Sequence, residues 1–233
     1  MAGVSRFQYP TNTRTIRLLC TGQLDARYVL EAFLRGADGV LVVGCKLGEC
    51  HYFDGNYQAK LKIDAVKIML KRAGVEPERL RMDFMSAAEG AKFAEAVRSF
   101  SEEICSLGPT PILDEKHRAK LKKSISALSE AMSRMRLRAL VGKWRRVVES
   151  GNVYGDKVDG EKWREMLIGV VNEEFTRNHV LVLLKEKPRS CVELAKNMDI
   201  DPASALRALT YLRQKNLIDV QKVENRSPIY QVI

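Results

Sequence analysis

The chain has 233 residues, of which 45% are hydrophobic and 29% charged, and this composition is typical of a globular protein with one domain and an appendage or with two small domains. Its longest apolar run, residues 39–44, is far shorter than the roughly 18 apolar residues that a membrane helix needs. The N-terminus also lacks the apolar centre of a signal peptide. We therefore expect a cytoplasmic protein without a membrane partner.

The formal net charge of +10 is concentrated in one part of the chain. Residues 116–146 contain 11 Lys and Arg and one acid, Glu130, so this block alone carries +10 and the remaining residues sum to zero. Such a block is most often a solvated helix face, less often a docking surface for an acidic protein, and least often a nucleic-acid stripe. We expect it to lie on a helix that docks the protein to a partner.

Short β-branched runs alternate with amphipathic segments in the first part of the chain. The pattern predicts strands at 15–20, 39–44 and 80–85 and helices at 24–35, 56–73 and 88–107. Gly74 is the expected C-cap of the middle helix, and Ser86 is the expected N-cap of the last. Strands separated by crossover helices indicate an α/β domain over 1–108, with a small parallel, flavodoxin- or Rossmann-like sheet.

A proline-containing break at 108–114 ends this domain, and a basic helical linker over 109–174 follows. One helix is predicted over 115–149, and residues 150–160, rich in Gly and Asp, are predicted to form a loop. The predicted helix has a single apolar seam, formed by Leu121, Ile125, Leu128, Met132, Met135 and Ala139.

Residues 175–233 have the element order of a winged helix-turn-helix. Helices are predicted at 175–187, 190–198 and 202–215, and a hairpin is predicted to turn at 224–228. The second helix of the pair and the hairpin carry cations that could reach a nucleic acid, namely Arg207, Arg213, Lys215, Lys222 and Arg226. The segment has ten basic and six acidic residues, a weak electrostatic footprint, so we favour protein docking and keep DNA contact as the alternative.

The five cysteines are an odd number in a chain expected to be intracellular, where structural disulfides are rare. Cys105 and Cys191 lie in predicted helices, and we interpret both as packed side chains. Cys20 and Cys45 follow predicted strands, and Cys50 lies in the loop after the second of these. The parallel-sheet prediction therefore brings these three to one edge of the sheet.

The spacing Cys45-x₄-Cys50, with Gly48 in the loop, lets two thiolates face one centre, as in plant-type ferredoxins. The pattern favours an iron–sulfur cluster, followed by a redox thiol or disulfide, and last by inert burial. A catalytic thiol would need a base, and His51, adjacent to Cys50, usually points elsewhere in an extended loop. Glycine-rich phosphate-binding motifs do not follow any predicted strand, which disfavours a nucleotide site.

At these residues the sequence resembles the delta, or iron–sulfur, subunit of methyl-viologen-reducing (F420-non-reducing) hydrogenase. The matching stretches span roughly residues 2–108 and read AGVSRFQYP, RTIRLLCTGQLD, GADGVLVVGCKLGECHYFDGNYQAK and ERLRMDFMSAAEGAKFAEAV. Cys20, Cys45 and Cys50 match family cysteines, and His51, Tyr52 and residues 55–57 match the surrounding loop. The resemblance implies a [2Fe–2S] protein that relays electrons between a hydrogenase or formate dehydrogenase module and a heterodisulfide reductase-like flavin subunit.

The family pattern has a further strand and a C-x-x-C segment before the AGVSR stretch, at which this sequence begins. We therefore expect the reading frame to extend upstream of Met1. A [2Fe–2S] cluster takes four ligands. In the chain as it stands, the fourth would come from His51, Cys105 or a partner. The alternatives are a redox-sensing DNA-binding regulator and a cluster-free docking module.

Overall fold

A computed structural model describes residues 6–233 of the protein. The chain divides into two compact units, Met1–Arg118 and Ala119–Ile233. The first unit contains α1 (Ala26–Leu34), β1 (Val40–Gly44), α2 (Gly55–Ala73), β2 (Leu80–Phe84) and α3 (Gly90–Leu107). After them come α4 (Glu115–Ser133), α5 (Met135–Arg145), a π-helical turn (Arg146–Ser150), α6 (Gly160–Glu186), β3 (Arg189–Ser190), α7 (Cys191–Met198), α8 (Pro202–Gln214), β4 (Ile218–Glu224) and β5 (Ser227–Val232).

The first unit is an α/β structure with a small parallel sheet, which confirms this part of the predicted fold class. Strands β1 and β2 pair in parallel, with Val40 opposite Leu80 and Gly44 opposite Phe84. Helix α2 connects the two strands and packs on both α1 and β2. The core is made of fully buried apolar side chains, among them Leu30, Phe33, Ile63, Met69, Leu70 and Leu80. The carboxyl ends of both strands therefore point to the same edge of the sheet.

The helices predicted in this unit are confirmed to within two residues at each end. Gly74 ends α2 with φ of 84°, a left-handed conformation in which glycine carries no steric cost. The predicted N-cap at Ser86 is wrong, because α3 begins at Gly90 after Glu89. The Glu89 carboxylate instead accepts a hydrogen bond from the Ser86 backbone N–H.

The predicted strand at 15–20 is also wrong. Of its residues, only Cys20 takes part in a regular element, as the cap of the 3₁₀ turn Thr21–Gln23. Ile16 is 85% exposed and Leu19 is 75% exposed. A strand needs a neighbour for its backbone hydrogen bonds, and within residues 6–233 this segment has none. Its β-branched and apolar composition alone does not make it a strand.

The single helix predicted over 115–149 is divided into α4, α5 and the π-helical turn. Arg134, between α4 and α5, has an extended conformation with ψ of 142°, which shifts the helical phase. As a result, the apolar seam continues from Met132 to the buried Leu137 and Val141, whereas Met135 is 80% exposed and Ala139 is half-buried. The predicted loop after this segment is confirmed, since α6 begins only at Gly160.

The C-terminal residues fold as helices around a three-stranded antiparallel sheet of order β3-β5-β4. Helix α6 is 27 residues long and begins well before the helix predicted at 175–187. Asp201 caps α8 by accepting a hydrogen bond from the Ser204 backbone N–H, and Pro202 occupies the first helical position. Asn225 and Arg226 both have positive φ, as a two-residue turn between twisted strands requires. These features match the predicted element order, and the domain limits 1–108, 109–174 and 175–233 stay a prediction.

Residues 6–233 contain no helix with both the length and the apolar content that a membrane crossing requires.

A buried arginine, Arg79, connects three parts of the first unit. Its side chain is 1% exposed, and its guanidinium donates to the backbone oxygens of Asp38, Leu107, Gly108 and Pro109 at 2.9–3.3 Å. Its Nε also donates to Glu76 at 2.8 Å. The same side chain therefore satisfies carbonyls at the end of α3 and in the loop before β1. A planar group with five donors suits this position better than an ammonium.

We expect Arg79→Met to destabilise the first unit by about 2–4 kcal/mol, because it leaves buried carbonyls without donors. The measurement is urea unfolding of the full chain followed by far-ultraviolet circular dichroism. Trp144 and Trp163, the two tryptophans, both lie in the second unit, so tryptophan fluorescence reports that unit separately.

Arg35→Met is the matched control, since Arg35 is 79% exposed and pairs with Glu31, four residues earlier. An exposed pair of this kind contributes about 1 kcal/mol or less. Equal effects of the two substitutions on the unfolding midpoint would contradict the structural role of Arg79.

Candidate metal centre

Two of the three predicted site cysteines lie in contact. Cys20 caps the short turn Thr21–Gln23, and its Sγ accepts a hydrogen bond from the Gly22 backbone N–H at 3.3 Å. Cys50 lies in the loop between β1 and α2, just before the N-terminus of the helix. The two sulfur atoms are 3.9 Å apart. The structure therefore brings together two thiols that are 30 residues apart in the sequence.

Two glycines allow this contact. A Cβ atom on Gly22 would lie 2.7 Å from Gly55 Cα, and a Cβ atom on Gly55 would lie 2.4 Å from Cys20 Sγ and 3.4 Å from Cys50 Sγ. Distances under 3.0 Å are essentially never seen for real Cβ atoms, so a side chain at Gly22 would displace the Gly55 backbone and one at Gly55 would displace the Cys20 sulfur. Lys62 Nζ strengthens the approach by donating to the carbonyl oxygens of Gly22 and Leu24 at 2.8 and 3.0 Å. The backbone at Gly22 therefore contacts the backbone at Gly55 next to the two sulfur atoms.

A buried amide holds the cysteine loop onto α2. Asn56 is fully buried, and its Nδ2 donates to the carbonyl oxygens of Cys45 and Lys46 at 3.1 and 2.6 Å. Its Oδ1 accepts a hydrogen bond from the Tyr57 backbone N–H at 2.9 Å. Because all three bonds use the two ends of one amide, Asn56 fixes the direction in which the loop leaves β1.

A salt bridge holds the same loop from the other side. Lys46 Nζ lies 3.1 Å from Glu89 Oε2. The Ser86 backbone N–H and the Lys46 ammonium lower the pKa of Glu89 to about 2. The carboxylate is therefore charged at any physiological pH, and the loop between Cys45 and Cys50 has a fixed anchor on each side.

The two thiols in contact have opposite pKa shifts. Burial raises the pKa of Cys20, and the neighbouring Cys50 raises it further. Burial would also raise the pKa of Cys50, but hydrogen bonds from the backbone N–H groups of Tyr52, Asn56 and Gly55 and from the Cys20 thiol outweigh it, so this pKa is lowered. Two of these N–H groups belong to the first residues of α2, where helix N–H groups have no partner within the helix. The site therefore favours a thiolate at Cys50, with Cys20 as the proton donor.

The other two predicted ligands lie further out. Cys45 is exposed, and it lies close enough for its charge to raise the pKa of Cys20. His51 is exposed, and its ring contacts Tyr52 edge to face at 5.0 Å. Across residues 6–233, no three His, Cys, Asp or Glu side chains are already arranged as a set of metal ligands. The donors nevertheless suit a thiolate-bound metal, since soft sulfur ligands converge with backbone N–H groups directed at them.

The remaining cysteines lie outside this centre. Cys105 is exposed on α3, so the interpretation of Cys105 as a packed side chain is wrong: its helix position faces outward. Cys191 is half-buried, packs against the core of the C-terminal helices and donates to the Pro202 carbonyl at 3.5 Å. Burial raises the pKa of Cys191, as expected for an inert thiol.

Comparison with known proteins identifies the family. Residues 1–108 match the family described as "FlpD: Methyl-viologen-reducing hydrogenase, delta subunit". The chain is 43% identical over 109 residues to an F420-non-reducing hydrogenase iron-sulfur subunit of Archaeoglobus profundus, and the match covers 47% of this chain and 80% of that protein. The chain belongs to the hydrogenase delta-subunit family. The resemblance noted from its motifs is thereby confirmed.

Two further relatives show the same domain in different proteins. The F420-non-reducing hydrogenase vhu iron-sulfur subunit of Methanocaldococcus jannaschii is 46% identical over 112 residues, which cover 48% of this chain and 84% of that protein. A Ferredoxin:CoB-CoM heterodisulfide reductase subunit of Methanosarcina mazei is 46% identical over 109 residues, which cover 47% of this chain but only 14% of that protein. The delta-subunit domain thus occurs both as most of a small protein and as a minor part of a much larger chain.

We expect alkylation of the metal-free chain to separate Cys50 from Cys20. Iodoacetamide reacts with thiolates, so the rate at Cys50 should rise at lower pH than the rate at Cys20, in line with their lowered and raised pKa values. Tryptic peptides distinguish the site cysteines, because Cys20 falls in residues 18–27, Cys45 in 36–46 and Cys50 in 47–60. The measurement is the alkylated fraction of each peptide by mass spectrometry across a pH series. Coincident profiles for Cys20 and Cys50 would contradict the opposite pKa shifts of the two thiols.

Proposed function

We propose that this chain is an electron-transfer protein that holds a [2Fe–2S] cluster on Cys20, Cys45 and Cys50 in the cytoplasm. The observation that carries the proposal is the 3.9 Å contact between Cys20 Sγ and Cys50 Sγ at the N-terminus of α2. Backbone N–H groups directed at Cys50 Sγ favour its thiolate form, which is the form that binds iron. Such a cluster would supply one-electron redox chemistry.

The role of each residue follows from its position. Cys20 and Cys50 provide a preformed pair of ligands, and Cys45, on the anchored loop, provides the third. His51 or a residue of a partner would supply the fourth ligand. Cys105 would not, since it follows Ile104, which lies against Gly39 just before β1, on the opposite edge of the sheet from the site. The hydrogen bonds from Gly22 and the first residues of α2 would tune the reduction potential by stabilising negative charge on sulfur. Gly55 and Asn56 keep the pair and the loop in register.

The relatives support particular partners. Two of them are named as hydrogenase iron-sulfur subunits, and another contains the same domain within a much larger heterodisulfide reductase chain. The same domain is fused to a reductase chain in one relative and forms a separate protein in others. Where it is a separate protein, it is a candidate to bind the reductase chain. We propose that the protein relays electrons between a hydrogenase or formate dehydrogenase module and a heterodisulfide reductase-like flavin subunit, which we call the reductase partner.

The basic segment supports docking to an acidic partner. On α4 and α5, Lys123 pairs with Glu186 and Arg136 pairs with Glu173 and Glu174. Other cations of the segment are exposed, namely Lys116, Lys120, Lys122, Arg138, Lys143 and Arg146. They attract an acidic surface over distances up to the Debye length.

We also propose that residues 175–233 form a winged helix that contacts protein. Its helix–hairpin order fits that motif, but many of its cations already have partners. Arg207 donates to Ser204, Arg213 lies 3.5 Å from Asp219, and Lys222 lies 2.7 Å from Glu224. The two carboxylate pairings lower the charge that is free for phosphates, and the bond to Ser204 holds the Arg207 side chain against its own helix. The redox-sensing DNA regulator is therefore the second candidate, favoured only by the element order.

The proposal is tested by iron and acid-labile sulfide analysis of anaerobically purified chain, with electron paramagnetic resonance after reduction. We expect about two irons and two sulfides per chain and the rhombic signal of a reduced binuclear cluster. Cys50→Ser and Cys45→Ser should each lose most of the iron. Cys105→Ser is the control for an exposed thiol of the first unit at the opposite edge of the sheet, and Cys191→Ser is the control for a thiol in the second unit.

Cys105→Ser and Cys191→Ser should both keep the wild-type iron content. A colourless wild-type chain after anaerobic incubation with iron and sulfide would contradict the electron-carrier proposal and favour the cluster-free docking module.

The DNA alternative predicts duplex binding that weakens steeply as salt rises, because phosphate contacts release counterions. We expect the full chain to bind a mixed-sequence duplex only at low salt, with the same weak affinity in Arg207→Gln and in wild type. Fluorescence anisotropy over a salt series measures this. Binding that persists at physiological salt and is lost in Arg207→Gln would instead support the regulator.

A further inference from the structure

Three exposed apolar side chains lie in the loop that contains Cys50. Phe53 is 91% exposed, Tyr52 is 52% exposed and Leu47 is 41% exposed. We call Leu47, Tyr52 and Phe53 the apolar rim. Aromatic side chains are enriched where proteins bind one another, whereas a phenyl ring almost fully in water contributes no burial to folding.

The backbone conformation of Phe53 is also unfavourable. Its φ is 67°, in the left-handed region that residues with a bulky side chain rarely adopt. The Phe53 backbone N–H donates to the Cys50 carbonyl at 3.1 Å, and the Asp54 N–H donates to the Tyr52 carbonyl at 3.0 Å, so the strained turn is held in place. Within residues 6–233 the ring at this position is almost unburied, which points to a contact with something outside these residues.

The apolar rim borders the proposed redox centre. Phe53 and Cys50 face each other across an isolated β-bridge, and the exposed Cys45 begins the same loop. The rate of electron transfer falls steeply with distance. A protein that exchanges electrons with this centre must therefore approach closely, and the surface it covers includes the rim.

The charges beside the rim indicate what kind of surface fits it. Lys46 is paired with Glu89, Glu49 is exposed in the loop between the two cysteines, and the Asp54 carboxylate accepts a hydrogen bond from Gln58. The three rim side chains are themselves uncharged, and the carboxylates of Glu49 and Asp54 lie in the same loop. The rim fits an apolar pocket that takes up the two rings, with an affinity that depends little on salt, in contrast to the basic segment on α4 and α5.

We propose that the apolar rim is the docking surface for the reductase partner. This inference rests on the proposed function, which names that partner because the same domain forms part of a heterodisulfide reductase chain in Methanosarcina mazei. Docking through the rim places the partner directly over Cys45 and Cys50. The rim is therefore both the contact surface and the point at which electrons leave or enter the chain.

The test compares two variants of the full chain. Leu47→Ser combined with Phe53→Asn removes the rim while placing a residue that tolerates left-handed φ at position 53. Leu113→Ser is the matched control, because Leu113 is 47% exposed and contacts Gly36, before β1, whereas Leu47 follows β1. Binding to the reductase partner from the same organism is measured by isothermal titration calorimetry at low and high salt. Iron content and the reduced spectrum of each variant are recorded in parallel.

We expect the rim variant to bind at least about tenfold more weakly than wild type at both salt concentrations, as for loss of an interface hot spot. The Leu113→Ser chain should bind as wild type, and all three proteins should have the same iron content and spectrum. If wild type lacks iron but its binding still depends on the rim, the electron-carrier proposal fails and the docking surface stands.

Unchanged affinity in the rim variant would overturn the inference, as would failure of wild type to bind the reductase partner. A wild-type dimer that dissociates in the rim variant, measured by light scattering, would also overturn it, since a second copy would then be the occupant.

Discussion

The site depends on one close approach between two backbones, at Gly22 and Gly55. A side chain at either position would collide with the opposite backbone or with Cys20 Sγ. Because the approach is permitted, the turn that carries Cys20 reaches the N-terminus of α2, where Cys50 already lies. The sulfur contact is thus a consequence of missing side chains, and Lys62 and Asn56 stabilise the arrangement from each side.

The pair of sulfurs is asymmetric for the same reason. Cys50 faces the backbone N–H groups of Tyr52, Gly55 and Asn56, the last two at the N-terminal end of α2, whereas Cys20 accepts a backbone hydrogen bond from Gly22. The N-terminal end of α2, a helix of 19 residues, favours negative charge nearby. Negative charge is therefore stabilised unequally at the two sulfurs, and any metal held between them would have one ligand in a more strongly electropositive environment than the other.

Sequence patterns predicted those parts of the protein that depend on local periodicity. The three helices of the first unit, the strands after Gly39 and before Met85, and the C-terminal hairpin all have such patterns. The strand prediction at 15–20 was wrong because a strand forms only beside a second strand, and the apolar composition of a segment does not show whether that second strand exists. The break at Arg134 was not predicted, because the local sequence has no Gly or Pro that would mark the end of a helix there.

The candidate site divides in the same way. Cys45 and Cys50 could be predicted because one loop contains both, but the approach of Gly22 to Gly55 joins distant residues and leaves no periodic signal. The exposure of the apolar rim could not be predicted either, since a phenylalanine in a sequence is normally expected to lie in the core. Its loop is anchored by Asn56 and by Lys46 with Glu89, so its strained turn is already in one conformation before any partner arrives. A surface held in this way loses little conformational entropy on binding, and a larger share of the contact energy of its exposed rings is then available for affinity.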